Sequence, residues 1–136
     1  MTAPDVRVPG PVVRPVVVFL DGHQSRLGPS VTIGFGLREG WTTKMPPHVA
    51  VFDDSGPMQW PIVTQPQVRI TTWARDYDDA RRISGLCLGL LLTHSVPGIA
   101  QVLPGASLFD ARDSRTGGHM VSFTARTKVR TVPVSP

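Results

Sequence analysis

The chain has 136 residues, which is enough to bury one hydrophobic core and too few for two independent cores. Its content of 40% apolar and 18% charged residues is typical of a folded protein and argues against wholesale disorder or a fibrous repeat. The formal charge of +4 is compatible with an acidic or nucleic-acid partner, but an excess of this size does not require one.

The N-terminal part of the chain predicts a short helix followed by two strands. Residues 1–5 show no secretion signal, so we expect a protein that is not exported. The apolar run from Pro11 to Leu20 is compatible with a strand or a helix, and we favour a helix from Arg14 to Asp21 in which Pro15 takes an early position. Val31–Leu37 and His48–Phe52 then predict two strands.

A long loop is predicted between Asp53 and Pro66. Ser55, Gly56 and Pro57 carry turn chemistry, and several later residues of the segment are large and apolar. These are Met58, Trp60 and Ile62. They either fold back onto the core or form a surface that binds a partner.

The middle of the chain contains the clearest strand and the longest helix. Gln67–Trp73 alternates at period two, which predicts a strand with one buried face. Asp76 is a good helix N-cap, and Asp78 is placed for an ion pair with Arg82. Apolar residues recur at helical spacing at Ala80, Ile83, Cys87, Leu90 and Leu91. The single cysteine therefore lies among leucines, which predicts a packed and unreactive thiol.

Two extended runs follow the helix and predict a hairpin. They cover Val102–Ala111 and Met120–Val132, with a polar tip at Arg112–Gly118. In the second run, the residues from Val121 to Val129 that share one face suit a core, whereas the alternate residues from Ser122 to Arg130 suit a solvated basic face. The predicted fold class is α+β: a small, mainly antiparallel sheet with a long helix on one face and a shorter N-terminal helix.

The residues that carry enzyme chemistry do not form a recognised motif. There is no Gly-x-Ser-x-Gly elbow, and His23, His48, His94 and His119 are dispersed without metal-ligand spacing. Only a folded pairing of His119 with Asp110 or Asp113 would suggest catalysis. We expect no enzymatic activity, no cofactor and no metal, and the apolar runs are too short to cross a membrane.

One longer phrase resembles a known family. It consists of Thr64–Asp76, which ends in Trp-Ala-Arg-Asp, followed by Asp79–Arg82 and Leu88–Leu92. A strand that ends in an aromatic-Ala pair and leads directly into a helix rich in Ala, Arg and Leu resembles the tail terminators of long-tailed, siphovirus-type phages. The order of elements is similar from about Val12 to Val132. Twelve arginines against two lysines also resemble proteins of phages that infect GC-rich actinobacterial hosts.

The resemblance implies a structural virion protein at the head–tail junction, assembled in the host cytoplasm. It implies one tail-terminator-like domain over residues 1–136, with residues 1–10 and 131–136 as extended tails. The implied assembly is a homo-oligomeric, typically hexameric ring that caps the tail tube protein, stops its polymerisation and joins the head connector or neck protein. Genomic DNA would pass through the lumen without sequence-specific contacts, and no membrane would be involved.

On this interpretation the loop from Met58 to Pro66 and the tip from Arg112 to Gly118 are candidates for contacts between subunits or rings. The candidate assembly residues are Met58, Trp60, Ile62, Arg112 and Arg115. The candidate residues for the DNA-channel face are Arg126, Lys128 and Arg130, where sparse positive charge would meet passing phosphates.

Two other functions stay open. Another subunit of the phage neck or head completion would have the same kind of exposed loops. A stand-alone nucleic-acid-binding module would combine the basic strand with exposed aromatic residues such as Trp73 for base stacking.

Overall fold

The computed structural model describes residues 6–134 as three helices and ten strands. The helices are α1 (Val13–Gly22), α2 (Gln24–Leu27) and α3 (Tyr77–Thr93). The strands are β1 (Val6–Val8), β2 (Thr32–Gly34), β3 (His48–Asp53), β4 (Met58–Gln59), β5 (Val63–Thr64), β6 (Gln67–Ala74), β7 (Gln101–Pro104), β8 (Phe109–Arg112), β9 (His119–Arg130) and β10 (Val132–Val134).

Strand β9 is the centre of the main sheet. On one side it pairs with β6 and, in the same antiparallel register, with β5; on the other side it pairs with β7 and β8. Strand β3 continues the sheet beyond β6, and β2 lies parallel to β3 at the edge. The prediction of an α+β fold with a mainly antiparallel sheet is confirmed, because α3 packs on one face of this sheet.

The two faces of the sheet differ in chemistry. We call the face that packs against α1 and α3 the inner face, and the opposite one the outer face. The inner face is apolar, with Val51, Ile70 and Phe123 aligned across β3, β6 and β9. The hydrophobic core lies between this face and the helices, and most of its residues are at most 1% exposed.

Helix α1 begins close to the predicted position, despite its proline. Val12 is the N-cap, so Pro15 lies in the first turn, where its missing N–H has no intrahelical partner to lose. Val16, Val17 and Leu20 are buried and hold the helix against the core. The helical alternative for this run is therefore confirmed.

Helix α3 follows the sequence pattern closely. Asp76 caps it by accepting a hydrogen bond from the backbone N–H of Asp79 at 2.9 Å. The buried residues include all five that were predicted: Ala80, Ile83, Cys87, Leu90 and Leu91. The predicted ion pair between Asp78 and Arg82 is wrong. The Arg82 guanidinium lies 3.6 Å from the Asp79 carboxylate instead, and it also donates a hydrogen bond to the carbonyl of Leu27.

The outer face is only partly solvated, which corrects the prediction for the first half of β9. Ser122 and Thr124 are buried. Ser122 shares a 2.7 Å hydrogen bond with Thr71, and the Thr124 hydroxyl accepts one from the backbone N–H of Ala106. Beyond them, a small second cluster of Trp41, Ala50 and Trp73 covers this end of the face.

Three extended segments differ from their predicted limits. The Val31–Leu37 run forms a strand only over Thr32–Gly34, where it pairs with β3. The Val102–Ala111 run is split into β7 and β8, because the chain bulges at Gly105 and Ala106 to reach Thr124. The predicted loop from Asp53 to Pro66 contains the β4–β5 hairpin, which extends the sheet beside the end of β9.

The two ends of the described chain pair with each other. Strands β1 and β10 form a separate antiparallel ribbon in which Val6 faces Val134 and Val8 faces Val132. Within the segments predicted as tails, residues 6–8 and 132–134 thus pair with one another. None of the helices within residues 6–134 is long and apolar enough to cross a membrane.

Candidate functional site

The β4–β5 hairpin holds its apolar side chains out of the core. Met58 is 62% exposed, Trp60 49% and Ile62 67%. The base of the hairpin is tied by backbone hydrogen bonds from Gln65 to Pro57 at 2.8 Å and from Gln67 to Ser55 at 2.9 Å. Of the two sequence alternatives for Met58, Trp60 and Ile62, the structure therefore shows exposure and not burial.

The β1–β10 ribbon is a second exposed apolar element. Its paired valines lie on one face, since residues directly opposite each other in an antiparallel pair point to the same side. Arg7 lies on the other face and donates to the hydroxyl and carbonyl oxygens of Thr131 at 2.7 and 2.8 Å. Sequence analysis missed this ribbon, although the Val-Arg-Val and Val-Pro-Val alternations at its two strands were the available signal.

Hydrogen bonds through Thr131 join the ribbon to the hairpin. The backbone N–H of Thr131 donates to the carbonyl of Ile62 at 3.1 Å, and its hydroxyl donates to the carbonyl of Pro61. We call these two exposed elements together the apolar end. Its exposed side chains are Val6, Val8, Met58, Trp60, Ile62, Val132 and Val134.

The other predicted assembly residues, Arg112 and Arg115, lie elsewhere. Arg112 pairs with the first residue of β9, whereas the hairpin pairs with its last residues. The first and last residues of β9 are about 36 Å apart along the strand at roughly 3.3 Å per residue, so Arg112 and the hairpin lie at opposite ends of β9. The structure therefore does not bring the five predicted assembly residues into one surface.

The tip at Arg112–Gly118 is anchored by a buried carboxylate. Asp113 accepts hydrogen bonds from the backbone N–H of Arg115 at 2.9 Å and from the Trp73 indole at 3.2 Å. Its backbone N–H donates to Gly118, which packs so closely on Trp41 that a side chain there would clash. These hydrogen bonds hold the pKa of Asp113 below its ordinary value. The bond from the backbone N–H of Arg115 has the largest effect, and the bonds from Trp73 and Thr116 add to it. Arg112 and Arg115 are thus exposed on a fixed turn.

The predicted basic ladder is present in the second half of β9. Arg126 and Arg130 are exposed on the outer face, and Lys128 between them is half-buried. The ion pairs recorded within residues 6–134 join Arg69 to Asp54, Arg82 to Asp79 and Arg115 to Asp113. The ladder takes part in none of these pairs.

Two adjoining clefts follow the ladder, and we call them together the basic groove. One has a volume of about 580 Å³ and lies between the Asp54–Pro57 turn and Leu103, with Arg126 and Lys128 in its lining. The other has a volume of about 650 Å³ and is lined by Lys128, Arg130 and Arg7. Lys128 lines both clefts, so they adjoin at this residue on the outer face of the sheet.

Two of the candidate catalytic groups make other contacts in the described structure. His119 packs against Tyr77 with ring centroids 6.4 Å apart, while Asp113 is engaged by Trp73 and Arg115. Among residues 6–134, His, Cys, Asp and Glu side chains form no group of three or more that could hold a metal ion. The predictions of no enzyme activity and no cofactor stay predictions.

Comparison with known proteins adds no family to this description. No protein-family model matches the chain, and a search of curated proteins finds no matching relative. The surfaces therefore have to be interpreted from their own chemistry.

Proposed function

We propose that the protein is a structural assembly subunit that acts as a tail terminator of a long-tailed phage. In this role, copies of the chain form a ring, typically of six subunits, that caps the tail tube, stops its polymerisation and binds the head connector. The phrase from Thr64 to Leu92 supplies the resemblance to this family. The structural observation that supports assembly is the apolar end.

The apolar end is a surface that requires a partner. Seven large apolar side chains are exposed there on two elements joined by hydrogen bonds. Large exposed apolar patches on small proteins usually mark interaction sites, and a two-stranded ribbon alone is only marginally stable in water. Covering this surface with a neighbouring subunit or a tube subunit stabilises both the ribbon and the assembly.

The experiment is negative-stain imaging of the purified protein, alone and mixed with tail tubes. Rings, or tubes with capped ends, are the expected result. A protein that stays monomeric and ignores the tubes would contradict the proposal. Another neck subunit, which is the nearest alternative, would instead bind the head connector and leave tube ends uncapped.

A pair of variants connects the images to the apolar end. The variant Trp60→Ser/Ile62→Ser removes two exposed side chains of the hairpin and is expected to abolish rings and caps. The control, Val18→Ser/Phe35→Ser, removes two side chains of similar exposure that lie outside this surface. If both variants assemble equally well, the apolar end is not the contact surface.

The nucleic-acid-binding module is less favoured by the geometry. Its predicted stacking residue, Trp73, is only 5% exposed, and its indole N–H is bonded to Asp113. The roles proposed for Arg126, Lys128 and Arg130 at a DNA channel require only weak contact with passing phosphates. Tight, salt-sensitive binding of DNA by the monomer would favour the module over the terminator.

A further inference from the structure

The basic groove carries cationic side chains at a fixed spacing. Its floor is β9, and Arg126, Lys128 and Arg130 occupy alternate positions of that strand. Alternate residues of a strand project to the same side about 6.6–6.8 Å apart. The groove therefore presents three basic side chains at regular intervals along β9.

Little inside the groove neutralises this row. Among residues 6–134, Asp54 is the one carboxylate in the lining of the two clefts, and its carboxylate lies 3.2 Å from the Arg69 guanidinium. Arg126 donates through Nε to the carbonyl of Pro104 at 3.3 Å, and this contact leaves its charge uncompensated. At the far end, Arg7 adds a further cation. The groove is suited to an anionic ligand.

The rest of the lining favours a polypeptide over a nucleic acid. The walls include the apolar side chains of Pro57, Leu103 and Ile62, and the amides of Gln65 and Gln67 lie between them. Within the described part of the chain, no aromatic residue lines either cleft, so a single strand of nucleic acid would find no ring there on which to stack its bases. Apolar walls and amides match the side chains and backbone of a peptide.

We propose that the basic groove binds an extended segment of a partner protein that carries carboxylates at alternate positions. An extended peptide repeats its side chains at the same two-residue period as β9, so successive carboxylates meet successive cations. Apolar residues between them contact the walls of the groove. This inference does not depend on ring formation, and it takes the place of the DNA-channel role for Arg126, Lys128 and Arg130.

The partner is a different protein and not a second copy of this chain. Among the ten acidic residues of the sequence, Asp76 and Asp78 are the one pair separated by a single residue. They flank the start of α3, where Asp76 is occupied as the N-cap. The chain thus offers no extended acidic segment that fits its own groove.

The test measures fluorescence anisotropy with the full chain and labelled peptides. One peptide alternates aspartate and valine, and a second has the same composition with its aspartates in one block. We expect the alternating peptide to bind more tightly and to lose affinity as salt rises. The variant Arg126→Gln/Lys128→Gln should weaken its binding by about tenfold, because two charge-assisted contacts are lost.

A control variant separates the groove from net charge. Arg26→Gln/Arg75→Gln removes the same two charges from exposed positions outside the groove and should change affinity by less than about twofold. Equal losses in the two variants, or equal binding of the two peptides, would overturn the proposal. Tighter, groove-dependent binding of a single-stranded oligonucleotide of equal charge would replace it with a nucleic-acid surface. Circular dichroism checks that each variant is folded. The loss of peptide affinity with rising salt is measured on the unmodified protein, so that result does not depend on any variant being folded.

Discussion

At the scale of single residues, Cys87 shows how burial controls reactivity. It lies on the face of α3 that packs into the core and is fully buried, and this burial raises the pKa of the thiol to about 12. We predict no reaction with an aromatic disulfide reagent at pH 8 while the protein is folded, and complete reaction of one thiol in guanidinium chloride. Rapid labelling of the native protein would mean that α3 opens readily.

The charge of Asp113 links the stability of the fold to pH. Its folded-state pKa lies below the ordinary value, chiefly because the backbone N–H of Arg115 donates to the carboxylate. The resulting stabilisation is therefore complete above about pH 4 and is lost as the pH falls through the folded-state pKa.

The variant Asp113→Asn tests this dependence. It should lower the free energy of unfolding by roughly 1–3 kcal/mol at pH 7, since a charged acceptor for Trp73 and Arg115 is lost. The difference from the unmodified protein should shrink below about pH 4, as measured by urea denaturation across pH. Asp110→Asn, which changes an exposed carboxylate on the neighbouring strand, is the control and should show little effect at either pH.

At the scale of elements, the N-cap of α3 can be measured directly. Asp76→Ala should cost about 0.5–2 kcal/mol of stability, because the backbone N–H of Asp79 loses its partner. Asp78→Ala removes a carboxylate from the same turn without removing the cap and should cost less. If thermal or urea unfolding shows that the two variants lose equal stability, the effect comes from the helix dipole and not from the capping hydrogen bond.

The elements that were predicted correctly are those with local signals. Helix α3 combines an N-cap with helical periodicity, and β6 alternates over its whole length, so neither depends on distant contacts for recognition. The β4–β5 hairpin was missed because strands of two residues form only through pairing, here of β4 with β5 and of β5 with the distant β9. The burial of Ser122 and Thr124 was missed for a similar reason, since Thr71 and the bulge at Ala106 cover them.

The candidate site was predictable in part. Exposure of Met58, Trp60 and Ile62 was one of two stated alternatives, and the ladder on β9 followed from its alternation. The joining of the hairpin to the β1–β10 ribbon could not be predicted, because it depends on contacts of Thr131 with residues about half the chain away. No local pattern encodes a contact of that range.

At the scale of the whole molecule, the ribbon should govern association more than stability. Val6→Thr/Val134→Thr keeps side chains that suit a strand but makes the paired positions polar. We expect sedimentation velocity to show weaker concentration-dependent association, while the free energy of unfolding changes by less than about 0.5 kcal/mol per site. Val18→Thr, at an exposed position of α1, should leave association unchanged.

The pairing of Val6 with Val134 also sets an order of events during synthesis. Strand β1 leaves the ribosome long before its partner, so the ribbon cannot close until nearly all of the described chain has emerged. Contacts between residues this far apart in sequence carry a large loop-closure cost and form late in folding. The apolar end is thereby completed last, and a nascent chain with an unfinished core does not yet present the surface through which it would join other subunits.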